Sequence, residues 1–87
     1  MGNIDLPSYP DLRDAIIRNA RRSGYTLDWI AQTSLARTAR IVRPTDRLVV
    51  LQVQVPLYPQ RTPTVTLAAM LALESVFGDD WMEDDDA

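Results

Sequence analysis

Cysteine, histidine and lysine are all missing from this 87-residue sequence, and glycine occurs only three times. Without cysteine there is no disulfide framework, no thiolate nucleophile and no thiolate metal ligand. The lack of histidine removes the commonest general base and the other usual zinc donor. So few glycines leave no glycine-rich phosphate loop, and the scattered Ser, Thr, Asp28 and Glu74 form no motif joining a nucleophile to a base. The expectation is a non-enzymatic protein with no catalytic residues, no cofactor, no metal and no small-molecule substrate.

Long apolar runs are also lacking. Residues 48–73 carry a single charge, Arg61, yet Pro56, Pro59 and Pro63 interrupt them well short of the roughly 20 apolar residues of a membrane span. Residues 1–20 lack a basic start followed by an apolar run, so no signal peptide is expected and the predicted compartment is the cytoplasm. What is present suits one small globular domain: 46% of residues are hydrophobic and 24% charged, in a chain long enough for one core and no more.

All nine basic residues are arginine, and the net charge of −3 divides unevenly along the chain. Residues 1–78, read as the globular domain, hold all nine arginines and six acids, a net +3. Residues 79–87, read as an acidic tail, hold six acids and no base. Such a tail can act as a solubilising end, as an internal mimic of phosphate that screens the arginines, or as a peptide that docks on a partner through Trp81 and Met82.

Three elements are predicted from local pattern. A helix over 10–23 follows from Pro10 in the first turn, from Leu12, Ala15, Ile16 and Ala20 on one face, and from Gly24 as the stop. Residues 48–55 are rich in β-branched side chains and alternate through Gln52 and Gln54, which predicts a strand. A second helix is expected from Thr62 or Thr66 to Phe77, stopped by Gly78, the alternative being a strand over 62–67 and a shorter helix. The fold class is therefore α+β: an N-terminal helix, a central segment, a strand and a C-terminal helix.

Two periodicities compete over 25–43. As strands, Tyr25, Leu27, Trp29 and Ala31 alternate with polar neighbours and a hairpin follows, giving a β-meander. As helices, Leu35, Ala39 and Val42 face inward while Arg37, Thr38 and Arg40 face water. The helical pattern separates apolar from basic residues better over 35–43, where neither strand face is clean, and it is the preferred reading.

Ser23-Gly24-Tyr25-Thr26-Leu27-Asp28-Trp29-Ile30-Ala31-Gln32-Thr33-Ser34, followed by Leu35-Ala36-Arg37-Thr38-Ala39-Arg40-Ile41-Val42, resembles a helix-turn-helix motif. Ala31 stands where that family has a small residue at the helix crossing, although the turn Thr33-Ser34-Leu35 lacks the usual glycine. The resemblance implies a small DNA-binding regulator, with Arg37, Thr38 and Arg40 on the helix that enters the major groove. Independently of any family, Arg37, Arg40, Arg43 and Arg47 form the densest basic run and are the candidate nucleic-acid contacts. The competing expectation is a protein-interaction module of helix–sheet–helix architecture: an inhibitor, adaptor or assembly component such as phages and mobile elements encode. Either way a homo-oligomer is expected, because Leu67, Met70, Leu71, Leu73 and Phe77 spread more apolar surface around the second helix than one small core covers. The partner is then duplex DNA or a protein.

Overall fold

The computed structural model describes residues 5–83. In chain order they form α1 (Tyr9–Ser23), β1 (Thr26–Gln32), β2 (Ala36–Arg43), β3 (Leu48–Pro56) and α2 (Pro63–Phe77). The three strands make one antiparallel sheet in the order β1-β2-β3. Of the two readings of the central segment, the chain adopts the β-meander.

Both predicted ends of α1 are realised. The Ser8 hydroxyl accepts a hydrogen bond from the Asp11 N–H at 3.2 Å, and Pro10 occupies the first turn. At the other end the Gly24 N–H donates to Arg21 and the Tyr25 N–H reaches back to the Ala20 carbonyl at 2.9 Å. This paired closure needs a left-handed residue at the helix end, which Gly24 supplies at φ 74° without a Cβ penalty.

Residues 35–43 correct the helical preference. Arg37, Ala39 and Ile41 point to one side of β2, opposite Val55, Val53 and Leu51 of β3. Ala39 and Ile41 are fully buried. What made that face seem unfit for a strand was Arg37, yet its guanidinium lies 4.3 Å from the centre of the Trp29 ring and donates to the Tyr9 hydroxyl at 2.7 Å. An arginine that stacks on an indole and bonds a phenol lays its aliphatic stem along an apolar surface, so it is compatible with the core side of a sheet. The turn before β2 is also built from side chains. Thr33 Oγ1 accepts from the N–H groups of Leu35 and Ala36 at 3.2 and 3.1 Å, taking the place that a glycine holds in many tight turns. The two helices that a helix-turn-helix would require are thus replaced by the β1–β2 hairpin.

Both helices cover the same face of the sheet. Leu12, Ala15, Ile16 and Ala20 of α1, Ala69 and Leu73 of α2, and Ala39, Ile41, Val53 and Val55 of the sheet form one core. The opposite face carries Asp28, Thr38, Arg40, Gln52 and Gln54 and has no helix over it, as the alternation of an antiparallel sheet with one wet face requires. Tyr25 and Phe77 meet at 6.5 Å between ring centres and join the start of β1 to the end of α2. The loop between β3 and α2 is fastened by Thr66, whose buried hydroxyl donates toward the Pro59 and Thr62 carbonyls at 3.1 and 2.9 Å. No helix among the described residues is long and apolar enough to cross a membrane.

The boundary expected at residue 78 is not a packing boundary. Trp81 is only 5% exposed and belongs to the core. Asn19, itself buried in α1, donates through its side-chain amide to the carbonyls of Ala15 and Trp81, at 2.7 and 2.6 Å. Arg18 donates to the Met82 carbonyl at 3.0 Å. The start of the acidic segment therefore folds back onto α1, which removes Trp81 from any role as an exposed docking side chain; residues 84–87 lie outside the described residues.

Trp81→Ala is expected to lower the unfolding free energy by about 3–5 kcal/mol, the usual cost of emptying an aromatic site in a core. A small domain has little more than that to lose. Urea titration followed by circular dichroism checks it, and a cost below about 1 kcal/mol would show that Trp81 is not part of the cooperative core.

Candidate interaction surface

The arginines singled out for nucleic acid do not form one surface. Arg37 lies on the helix-covered side of the sheet, between Trp29 and Tyr9. Thr38 and Arg40 point to the opposite side, where Arg40 Nε donates to Gln52 Oε1 at 3.2 Å. Arg43 sits at the end of β2 and makes a two-pronged pair with Asp46, at 3.0 and 2.7 Å. Arg47 occupies the following turn in a left-handed conformation, φ 60°. A spacing of three and four residues collects side chains on one side of a helix, whereas a strand and a turn distribute them.

Asp46 organises that turn. It accepts from Arg43 and from the Leu48 N–H at 3.2 Å, and these bonds lower its pKa from 3.8 to about 2. The Arg43 bond is the larger cause. Because the turn is solvent-exposed, the pair acts mainly to fix the turn geometry and contributes little net stability.

The apolar residues predicted for self-association divide as well. Leu73 is fully buried and Met70 and Phe77 pack partly against the core, so these three face the sheet and not a partner. Leu67 and Leu71 point outward, 40% and 66% exposed. The helical-wheel reading placed Leu73 with the excess because nothing in the sequence shows which side of so apolar a helix the sheet will cover. Thr66, Ala69 and Leu73 proved to be the covered side.

On another side of α2, next to Thr64, Ala68 and Ala72, runs the edge of the sheet. Among the described residues no strand pairs with the far side of β3. Between that edge and α2 lies an open groove of about 350 Å³, lined by Gln52, Val53, Gln54, Thr64, Ala68 and Ala72, with Val65 and Ala69 beneath. Its lining carries no charge. The small α2 side chains leave the groove shallow, a shape suited to an added strand or helix and too open to enclose a small molecule. Both edge strands carry a bulge, β1 between Trp29 and Ala31 and β3 at Val50, but only β1 carries a charge, Asp28, which discourages pairing. β3 is the longer edge and has neither a charge nor a proline before Pro56.

A second depression of about 450 Å³ is lined by Leu6, Pro7, Tyr9, Leu57, Tyr58 and Arg61, among others. Arg61 lies over the Tyr58 ring at 5.6 Å. Residue order alone gave no sign of this depression, because its two walls come from the start of the chain and from the loop between β3 and α2.

Asp46 titrates low in the folded state, so its contribution to stability is complete above pH 3.8 and disappears as pH falls toward 2. Asp46→Asn is expected to flatten the change of thermal midpoint across that window while leaving the curve above pH 5 unchanged in slope. Thermal melts followed by circular dichroism at a series of pH values check this. No protein-family model, curated protein or solved structure matches this chain.

Proposed function

We propose that this chain is a non-enzymatic protein-interaction module, an adaptor, inhibitor or assembly component, whose binding side is β3 together with the outward face of α2. One observation carries the reading: an unpaired sheet edge lies beside an uncharged groove, and the neighbouring helix leaves Leu67 and Leu71 exposed on its outer side. Apolar side chains next to free backbone donors and acceptors are the recurring ingredients of strand-addition and helix-packing recognition. Single exposed leucines are ordinary on protein surfaces, but an uncharged edge open over Leu51–Val55 is what edge strands in isolated domains are built to avoid.

Duplex DNA is a second reading, favoured by one specific observation. The uncovered face of the sheet presents Thr38, Arg40, Gln52 and Gln54 on neighbouring strands, residue types that read base edges, and sheets as well as helices enter DNA grooves. This form of DNA binding has no recognition helix and uses a different residue set from the one the arginine run suggested.

The first reading is tested by capture from the native source. Wild-type protein is expected to retain a defined protein that Leu67→Glu/Leu71→Glu does not, both changes being on exposed positions that leave the core intact. Identical capture by the two would overturn it. For DNA, Arg40→Ala is expected to reduce the slope of log K against log salt by about 0.9 for one lost phosphate contact. Absence of duplex binding by the wild type at low salt would end the second reading.

A further inference from the structure

We propose that the occupant of the β3 edge is a second copy of this chain, added antiparallel about Val53 so that two three-stranded sheets become one of six strands. The inference rests on the interaction-module reading and names its partner.

The regular part of the edge is short and defined at both ends. Ile41 pairs with Leu51 but Val42 pairs with Val49, so Val50 is an extra residue that interrupts the ladder. Pro56, at the other end, has no N–H to offer a new strand. Between them lies Leu51-Gln52-Val53-Gln54-Val55, and its polarity reads the same from either end. Placed against itself antiparallel with Val53 opposite Val53, Leu51 meets Val55 of the other copy and Gln52 meets Gln54. On the wet face Gln52, whose Oε1 already accepts from Arg40, still offers its amide N–H groups to Gln54 Oε1 of the other copy. The valines and leucines stay together on the core face.

The register also decides where the helices go. Odd residues of the stretch face the core and even ones face water; Val53 and Val55 are buried while Gln52 and Gln54 are exposed. Pairing odd with odd keeps both copies' helices on the same side of the joint sheet. The groove lined by Thr64, Ala68 and Ala72 then opens toward the arriving strand, and the small side chains leave room for its inward valines. Ala68 and Ala72, on the groove side of α2, are the helix residues turned toward the other copy. Charge is compatible with a two-fold axis as well: β3 has none and α2 has only Glu74, so no pair of like charges is forced together near the axis.

Light scattering behind a sizing column is expected to give twice the 9.8 kDa chain mass at roughly tens of micromolar. Gln52→Lys/Gln54→Lys sets ammonium groups opposite each other at both symmetric positions and is expected to weaken the dimer about tenfold. Gln52→Lys/Gln54→Glu sets opposite charges across both pairs and is expected to stay dimeric. Mixing Gln52→Lys/Gln54→Lys with Gln52→Glu/Gln54→Glu is expected to restore a dimer containing one chain of each. That restoration separates a charge effect at the interface from a loss of fold. A monomeric wild type overturns the inference, as does a dimer indifferent to all three variants. A monomer that still captures a different protein through Leu67 and Leu71 overturns only the identity of the partner. A monomer that captures nothing removes the interaction reading too.

Discussion

An arginine on the core side of a sheet has to be given partners there, and the packing of Arg37 onto Trp29 is the contact around which this fold is arranged. Its guanidinium lies over the indole of β1 and bonds the hydroxyl of Tyr9 in the first turn of α1. One side chain thus ties the central strand to an edge strand and to the start of the first helix. With Arg37 held this way the rest of β2 turns Ala39 and Ile41 into the core, and α1 and α2 both have to lie on that side to cover them. The other side of the sheet is left to water, and with it Thr38, Arg40, Gln52 and Gln54.

The same contact explains where the sequence was legible and where it was not. The start and stop of α1, the span of β3 and the end of α2 follow from local chemistry: Ser8 and Pro10, Gly24, a β-branched run, Gly78. Periodicity failed over 35–43 because it treats every arginine as a residue that must face water. Arg37 and Arg43 both sit on the supposedly apolar side of β2, one satisfied by aromatic rings and the other by Asp46. Arg37 finds Trp29 eight residues away and Tyr9 28 residues away, Arg43 finds Asp46 three away, and only this last pair is readable from spacing.

Trp81 and Leu73 show a different limit. Six acids in the last nine residues make the end of the chain read as solvated, and charge counting cannot see that the tryptophan among them is needed by the core. Asn19 could not have been assigned its role either, because an asparagine among apolar residues of a helix signals only that some partner must exist. Leu73 was grouped with Leu71 because α2 is apolar nearly all round, and such a helix does not reveal which stripe its sheet will take. The candidate surface was therefore half legible: the excess of leucine was visible in the sequence, while the free edge beside it depended on strand order.

The return of residues 81 and 82 onto α1 also orders events in the life of the chain. Asn19 carries a buried amide whose acceptor, the Trp81 carbonyl, lies 62 residues downstream. Until that part has been synthesised, the first helix and the hairpin hold an open apolar slot, and Asn19 keeps only its bond to the Ala15 carbonyl, so a nascent chain ending near residue 78 is less stable than the finished one. During that interval the strand edge is already made and the core is not yet closed, which makes synthesis the moment of greatest exposure to misassembly. The core is complete only once Trp81 is in place, and the acidic residues beside it arrive at the same moment.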